Sequence, residues 1–369
     1  MSTEVDRATE RWKDLNTSGL LRPGVSPTVD PDALPAWISR ERLLVAQRNL
    51  QPHMFSVNFS SLSGLLIILQ TRYGFDPLLY TGKSESLPAL FLRYLKTMIH
   101  VRSWYTTDIL DPESEGYKSI RQVRQMHVNI SKKMQSLPPP CADKIWVSQY
   151  SMAATQWSFV GLLLLFPERC GLHGQDKQVL QDVNYLWRVI GYLHGIEDRY
   201  NMCFEDVTQT ISMCQLMLDN LFGPVLCRRP RENELGYEMV LDIVESLKGV
   251  LTGASGDVYL RYWYEALEMR EELMPVLSLN DRMHYHLLTF VTGVACRSHT
   301  LKVLIDKASL RRVKHYSAVR EKHFQLLLSS HPEVKYTPEE AAKRRLNCPF
   351  AAAVNNNDTT NAGKIERKP

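Results

Sequence analysis

Apolar side chains recur at steps of three and four residues along most of this chain of 369 residues. These steps place residues on one face of an α-helix, because the helix has 3.6 residues per turn. No stretch alternates apolar and polar residues as a half-buried strand does, and no Asn-Gly or Asp-Gly pair marks a tight hairpin. The sequence therefore predicts an all-α fold. The clearest stripes run through residues 123–134, 179–194 and 207–221.

Prolines and glycines divide the chain into three parts. Residues 22–37 contain four prolines and a glycine, which favours extended backbone, so we predict an N-terminal arm or loop over residues 1–39. A single all-helical domain is predicted over residues 40–345. Residues 346–369 are rich in Asn and Thr and poor in aromatic residues, which predicts a disordered tail.

Charge and cysteine spacing exclude several classes of protein. The 44 Lys and Arg residues against 40 Asp and Glu residues give a net charge of +4, which is no signature of a nucleic-acid-binding protein. The cysteines never occur in C-x-x-C spacing, so neither a zinc site nor a disulfide framework is predicted, and reduced thiols are expected. The seven cysteines are Cys141, Cys170, Cys203, Cys214, Cys227, Cys296 and Cys348.

Three stretches without charged side chains raise the question of membrane contact. They cover residues 52–70, 145–167 and 283–296, and all are dotted with polar residues or are short. We predict three buried core helices, with membrane contact by one of them as the alternative. The charged N-terminus has no apolar stretch, so no secretory signal is visible and an intracellular location is expected, either cytoplasmic or ER-associated.

Two polar motifs lie on predicted helices. Arg93, Lys96 and Thr97 are at i, i+3 and i+4, so they share one face of a helix. Arg124 precedes His127 by three residues, and His127 continues an apolar stripe. A histidine on an apolar face is either a packing residue with a satisfied ring or a ligand of a metal or haem iron. The residues alone leave both interpretations open.

These motifs, with two later segments, resemble the latex-clearing-protein (rubber oxygenase) family and the ER-bound oxygenases of mycophenolic acid biosynthesis. The family pattern R-x-x-K-T, followed about thirty residues later by R-x-x-H, is met at residues 93–97 and 124–127. The similarity covers residues 73–222. The later segments are Gln149, Thr155 and Phe159, and the run LWRVIGYLHG over residues 186–195.

The resemblance implies a globin-like helical core that holds a non-covalent haem b. His127 would be the proximal axial ligand of the iron, with Arg124 beside the cofactor. Arg93, Lys96 and Thr97 would line the distal, oxygen-binding pocket, where the lysine of rubber oxygenases can occupy the sixth iron position. The implied partners are dioxygen and an apolar, unsaturated, isoprenoid or lipid-like substrate, whose double bond is cleaved to carbonyl products. No nucleic acid is implied.

The sequence departs from the family where a catalytic base is expected. Rubber oxygenases carry a glutamate upstream of the arginine, and the matching distance falls at Pro77, with Asp76 and Glu85 as the nearest acids. Two alternatives stay open: a non-catalytic haem or lipid binder of the same fold, and a helical interaction protein without a cofactor. Trp187 is predicted as a core residue, and His194 on the same stripe is considered as a second haem contact.

Overall fold

The computed structural model describes residues 2–137, 145–174, 177–228, 231, 233–251 and 253–346. These residues form α-helices joined by short 3₁₀ and π turns, and within them no β-strand occurs. Their extended backbone meets in one isolated bridge between Pro23 and Ser148. The predicted all-α class is confirmed. The predicted disordered tail lies outside the described residues, except that Leu346 ends the last helix.

The helices are numbered in chain order. They are α1 (Ser2–Asn16), α2 (Arg40–Leu50), α3 (Met54–Ile68), α4 (Arg72–Tyr80), α5 (Leu87–Thr106), α6 (Glu115–Met134), α7 (Gln149–Leu165), α8 (Lys177–Leu193), α9 (Val207–Met217), α10 (Gly223–Cys227), α11 (Glu234–Ser246), α12 (Gly256–Ala266), α13 (Leu279–Gly293), α14 (His299–Ala318), α15 (Arg320–Ser330) and α16 (Pro338–Leu346).

The N-terminal segment differs from the predicted arm or loop of residues 1–39, because it begins with helix α1. Leu15 of this helix is fully buried, and α1 packs against α9. Because α1 carries many charged residues, the composition of this segment does not indicate a packed helix. The part that does run as an arm lies after Leu21, where the four prolines occur.

The chain forms two compact units, where the sequence predicts one helical domain over residues 40–345. Unit 1 comprises Met1–Ile68, Lys96–Met217 and Leu287–Arg311, and unit 2 comprises Leu69–Leu95, Leu218–His286 and Arg312–Pro369. The boundaries fall inside or beside helices, such as α5, rather than in linkers rich in proline or glycine. No composition signal therefore marks them in the sequence.

Helices α3 and α7 form the centre of unit 1. Nearly every residue of both helices is buried, as predicted for the charge-free stretches 52–70 and 145–167. The two backbones touch at Gly64, where a Cβ atom would lie 1.9 Å from the carbonyl oxygen of Ser158. Such an approach is open only to glycine, because any side chain would collide with the facing backbone. Helix α2 packs on α8 around this centre.

The third charge-free stretch, residues 283–296, is not the buried core helix that the sequence predicts. Met283, Leu287, Phe290 and Val294 are each more than half exposed. A stretch without charged side chains need not be buried. The lack of charge therefore cannot distinguish a core helix from an exposed apolar helix. Among the described residues, no single helix is both long and apolar enough to cross a membrane.

Unit 2 has an aromatic core on helices α11 and α12. Tyr262, Trp263 and Tyr264 of α12 are buried, and the Tyr264 hydroxyl donates to the side-chain oxygen of Gln70 at 2.8 Å. Side-chain caps begin helices α4, α11 and α12 of this unit. Thr71, for example, accepts a hydrogen bond from the backbone amide of Gly74 at the start of α4.

All described cysteines are free thiols, as the spacing predicts. They are Cys170, Cys203, Cys214, Cys227 and Cys296. Cys141 and Cys348 lie outside the described residues. Burial raises the pKa of the Cys170 and Cys214 thiols well above the ordinary value, so these two side chains act as small core residues.

The contact at Gly64 predicts a large effect of one added methyl group. Gly64→Ala should lower the free energy of unfolding by about 3 kcal/mol, because α3 and α7 would have to separate. Urea denaturation followed by circular dichroism measures this change. Gly293→Ala is the matched control, since no atom lies within 4 Å of a Cβ built there. Equal stability of the two variants would contradict the predicted backbone contact.

Candidate functional site

Arg93 lies in unit 2 and contacts the turn that follows α4. Its guanidinium donates to the hydroxyl oxygens of Thr81 at 2.8 Å and Ser84 at 3.1 Å. Burial lowers the pKa of the guanidinium from its ordinary value. These contacts give Arg93 a structural role, which is to hold the turn after α4 against α5.

Lys96 and Thr97 belong to unit 1, although they follow Arg93 on the same helix. Lys96 is exposed and Thr97 is partly buried. Burial and then the charge of Lys96 lower the pKa of His100, one turn further along α5. Lys96 therefore acts on its surroundings as a surface cation near His100. Its predicted place in a distal pocket remains a prediction.

The two candidate bases also lie in unit 2. The Asp76 carboxylate is buried and forms an ion pair with Arg72 at 3.1 Å, one turn earlier on α4. The backbone carbonyl of Glu85 accepts hydrogen bonds from the amides of Lys335 and Tyr336. The contacts of Asp76 are those of a structural carboxylate, which agrees with the weak match of this region to the family pattern.

Arg124 of α6 binds backbone carbonyls on two neighbouring segments of unit 1. Its Nη1 donates to the carbonyl of Leu193 at 3.1 Å, and its Nη2 donates to that of Val29 at 2.7 Å. Gly195 has a φ of +100°, and a Cβ atom there would lie 2.9 Å from Nη1 of Arg124. The guanidinium thus fixes the end of α8 and the N-terminal arm, and glycine at 195 leaves room for it.

The rings of His127 and His194 meet at this position. Their centroids lie 5.8 Å apart, with the planes at 87°. His127 is partly buried, whereas His194 is only 6% exposed. Burial, with smaller effects of His127 and Arg124, lowers the pKa of His194 well below its ordinary value. His194 is therefore a neutral imidazole at physiological pH.

A tryptophan forms the next wall beside His194. The ring of Trp104 lies 5.1 Å from that of His194 and 5.9 Å from that of Trp187. The indole N–H of Trp104 donates to the hydroxyl of Ser119 at 2.8 Å, and Nδ1 of His100 lies 2.7 Å from the same oxygen. Because an indole can only donate, the serine hydroxyl can turn its own proton toward His100.

Trp187 lies beside Trp104 and is buried, which confirms its prediction as a core residue. Its indole N–H donates to the Tyr105 hydroxyl at 2.5 Å, and its ring stacks on Phe159 with centroids 4.5 Å apart. We call His100, Trp104, His127, Trp187 and His194 the histidine–tryptophan cluster. It lies wholly within unit 1 and combines three imidazoles with an apolar, water-poor wall.

Two imidazole nitrogens of the cluster are buried without a hydrogen-bond partner among the residues that the structure describes. They are Nε2 of His100 and Nε2 of His194. A buried polar atom without a partner costs free energy, so it usually marks a functional position or an absent ligand. Across the same described part of the chain, no group of three or more His, Cys, Asp or Glu side chains could hold a metal ion. The cluster therefore holds two buried imidazole nitrogens, each of which could bond to a bound group.

The later segments of the resemblance have structural contacts. The side-chain amide of Gln149 donates to the carbonyls of Pro23, Gly24 and Gly195 at 2.8, 2.9 and 3.0 Å. Thr155 donates to the carbonyl of Ser151, one turn earlier on α7. Gln149 thus fixes the same arm as Arg124, and of this set Phe159 alone borders the cluster, through its stacking contact with Trp187.

Sequence reasoning missed His100, Trp104 and Ser119. The spacing of His100 and Trp104, one turn apart on α5, is a signal that could have identified them as neighbours on one face. Nothing in the sequence indicates that Ser119 faces them. Comparisons with protein-family models, curated proteins and solved structures give no match to this chain.

Desolvation of His194 predicts a pH-dependent stability. Its folded pKa lies below the unfolded value of 6.5, so the unfolded chain binds the proton more readily. The free energy of unfolding should therefore fall as the pH drops below about 6.5, by up to about 1.4 kcal/mol per pH unit from this residue. His194→Phe removes this contribution, so the variant should lose less stability between pH 7 and pH 5.5 than the original chain.

Urea unfolding at the two pH values measures this difference. His286→Phe is the control, because His286 is exposed on α13 and its replacement should leave the pH dependence unchanged. An identical pH dependence in His194→Phe and the original chain would show that His194 is not the desolvated group.

The contacts of Arg124 predict a second effect. Arg124→Met keeps the apolar stem but loses both hydrogen bonds to the carbonyls of Leu193 and Val29, which should cost about 2–3 kcal/mol of stability. The arm over residues 22–37 should then be cut several times faster by thermolysin. Gln122→Met on the exposed side of the same helix is the control. An arm that is cut equally slowly in both variants would contradict the role of Arg124.

Proposed function

We propose that unit 1 binds haem b through His127 and that the protein is a haem-dependent oxygenase of apolar, unsaturated, isoprenoid or lipid-like substrates. The observation that carries this proposal is the contact of His127 with a neutral, buried His194 inside a wall of tryptophan rings. An imidazole ligand of haem iron must be neutral, and an apolar surrounding excludes the water that competes for the metal.

The donor chemistry of the cluster fits haem. A porphyrin needs a single protein imidazole as axial ligand, and His127 offers one beside the ring of His194. His127 would hold the iron, and haem, when bound, supplies the activation of dioxygen. His194 orients the ring of His127 by their edge-to-face contact, and Arg124 fixes the end of α8 that precedes His194.

The predicted distal residues enter the proposal through the resemblance. Arg93, Lys96 and Thr97 are assigned to the substrate side by their match to the family motif. The hydroxyl contacts of Arg93 and the exposure of Lys96 add no support to this assignment. The proposal therefore depends on His127 and does not require Lys96 as an iron ligand.

A second candidate is a haem or lipid binder of the same fold that has no oxygenase activity. The specific observation in its favour is the engagement of Asp76 by Arg72, together with Pro77 at the position where the family has a glutamate. Without a base, abstraction of an allylic proton has no acceptor among these residues.

Haem titration of the purified chain tests the first part of the proposal. The original chain should bind about one haem and develop a Soret band, because one neutral imidazole suffices as axial ligand. His127→Gly should lose this band, and added imidazole should restore it in the vacated space. His194→Phe should retain haem with a shifted band, because the axial ligand stays while its neighbour changes.

His286→Gly is the matched control, because it removes an exposed imidazole and should leave the spectrum unchanged. A His127→Gly variant that keeps the full Soret band would refute the ligand assignment. Oxygen uptake by the haem-loaded chain with farnesol or squalene then separates the two candidates. Uptake with formation of carbonyl products supports the oxygenase, and a haem-loaded chain that consumes no oxygen supports the non-catalytic binder.

A further inference from the structure

Unit 1 exposes five large apolar side chains near the end of α13 and at the start of α14. The exposed fractions of Leu287, Phe290 and Val294 are 51%, 55% and 56%, and those of Leu301 and Leu304 are 45% and 54%. Residues 287, 290 and 294 follow the helical spacing of three and four, as do residues 301 and 304. We call these five residues the apolar face of unit 1.

Several polar residues of the same helices make contacts on the inner side. Lys302 is buried, and its Nζ lies 3.0 Å from Nδ1 of His53. Asp306, one turn on, forms an ion pair with Arg102 at 3.4 Å. On α13 the buried residue is Thr292, whose carbonyl lies 2.6 Å from Nε2 of His173.

This arrangement reverses the usual pattern of a helix on the surface of a soluble domain, which buries its apolar stripe. The inner side of α14 carries Lys302 and the Asp306 of the ion pair, while its leucines face outward. Single exposed leucines are common on protein surfaces, but five large exposed apolar residues at helical spacing on consecutive helices indicate an interaction surface.

The exposed charged side chains of residues 287–311 are all basic. Lys307 and Arg311 are exposed on α14, and Arg297 is exposed in the 3₁₀ turn between α13 and α14. Asp306 is the one acidic residue between positions 287 and 311, and Arg102 already neutralises it. A second copy of this chain would bring like charges together, whereas an anionic surface would pair with them.

We propose that the apolar face of unit 1 docks on an anionic lipid bilayer. Phe290 and the leucines would enter the headgroup region, and Arg297, Lys307 and Arg311 would pair with lipid phosphates and carboxylates. Apolar residues flanked by basic ones are the recurring composition of helices that lie in a membrane interface. This inference requires no haem and stands independently of the proposed function.

Vesicle sedimentation with the full chain tests the proposal. The probes are phosphatidylcholine vesicles with and without about one third phosphatidylserine. The original chain should sediment with the phosphatidylserine vesicles at least about tenfold more strongly, and salt should weaken the binding because it screens the basic residues. The double variants Leu287→Ser/Phe290→Ser and Leu301→Ser/Leu304→Ser should each reduce binding about tenfold or more. Each variant removes two apolar side chains that would become buried in the lipid on binding.

The matched control is Leu44→Ser/Val45→Ser, which replaces two exposed apolar residues of unit 1 on α2, with exposed fractions of 37% and 41%. It should bind vesicles as the original chain does. Circular dichroism and thermal unfolding check that each variant folds, and Lys307→Gln/Arg311→Gln should abolish the preference for phosphatidylserine.

Three outcomes would overturn the proposal. One is a folded original chain that binds neither kind of vesicle. Another is an equal loss of binding in the Leu44→Ser/Val45→Ser control, which would remove the assignment to this face. The third is a concentration-dependent dimer in light scattering that the Leu301→Ser/Leu304→Ser variant disrupts, because a second copy would then be the occupant.

Discussion

Two long polar side chains, Arg124 and Gln149, fix the backbone around which the candidate site of unit 1 is arranged. Arg124 donates to the carbonyls of Leu193 and Val29, and Gln149 donates to those of Pro23, Gly24 and Gly195. An arm and a helix end carry carbonyls that have no helical partner, and burying them without donors would be costly. These two side chains bond to those carbonyls, so the irregular backbone can pack against α6 and α7.

The same hydrogen bonds of Arg124 and Gln149 determine the surroundings of the His194 ring. The residue follows α8 directly, and its ring lies between Trp104 and His127 because the backbone on both sides of it is held. Once water is excluded, protonation of the ring would place a charge in a poorly polarisable environment beside the Arg124 cation. The neutral state of the imidazole is therefore mainly a consequence of burial, to which the neighbouring His127 and Arg124 add smaller effects.

Helical periodicity was sufficient to predict the all-α class, and the lack of charged side chains predicted the burial of α3 and α7. The lack of charge was a less general guide than the periodicity. It failed for residues 283–296, because composition does not say which side of a helix faces the core. The stripe through His127 was visible in the sequence, whereas its neighbour Trp104 comes from another helix, and contacts between helices are not encoded in local spacing. The division into two units was equally hidden, since its boundaries fall inside or beside regular helices such as α5.

Under the proposed function, the interior and the surface of unit 1 would both suit an apolar substrate. An apolar unsaturated chain dissolves poorly in water and accumulates in lipid, because the transfer of apolar surface out of water is favourable. A domain that reacts with such a molecule gains by residing where its concentration is high. The apolar face and its basic residues would hold unit 1 at the lipid surface. The histidine–tryptophan cluster would provide an apolar interior for the reaction. The buried Lys302 and the Arg102–Asp306 pair become intelligible in this setting: polar contacts hold α14 to unit 1, which leaves its leucines free for lipid.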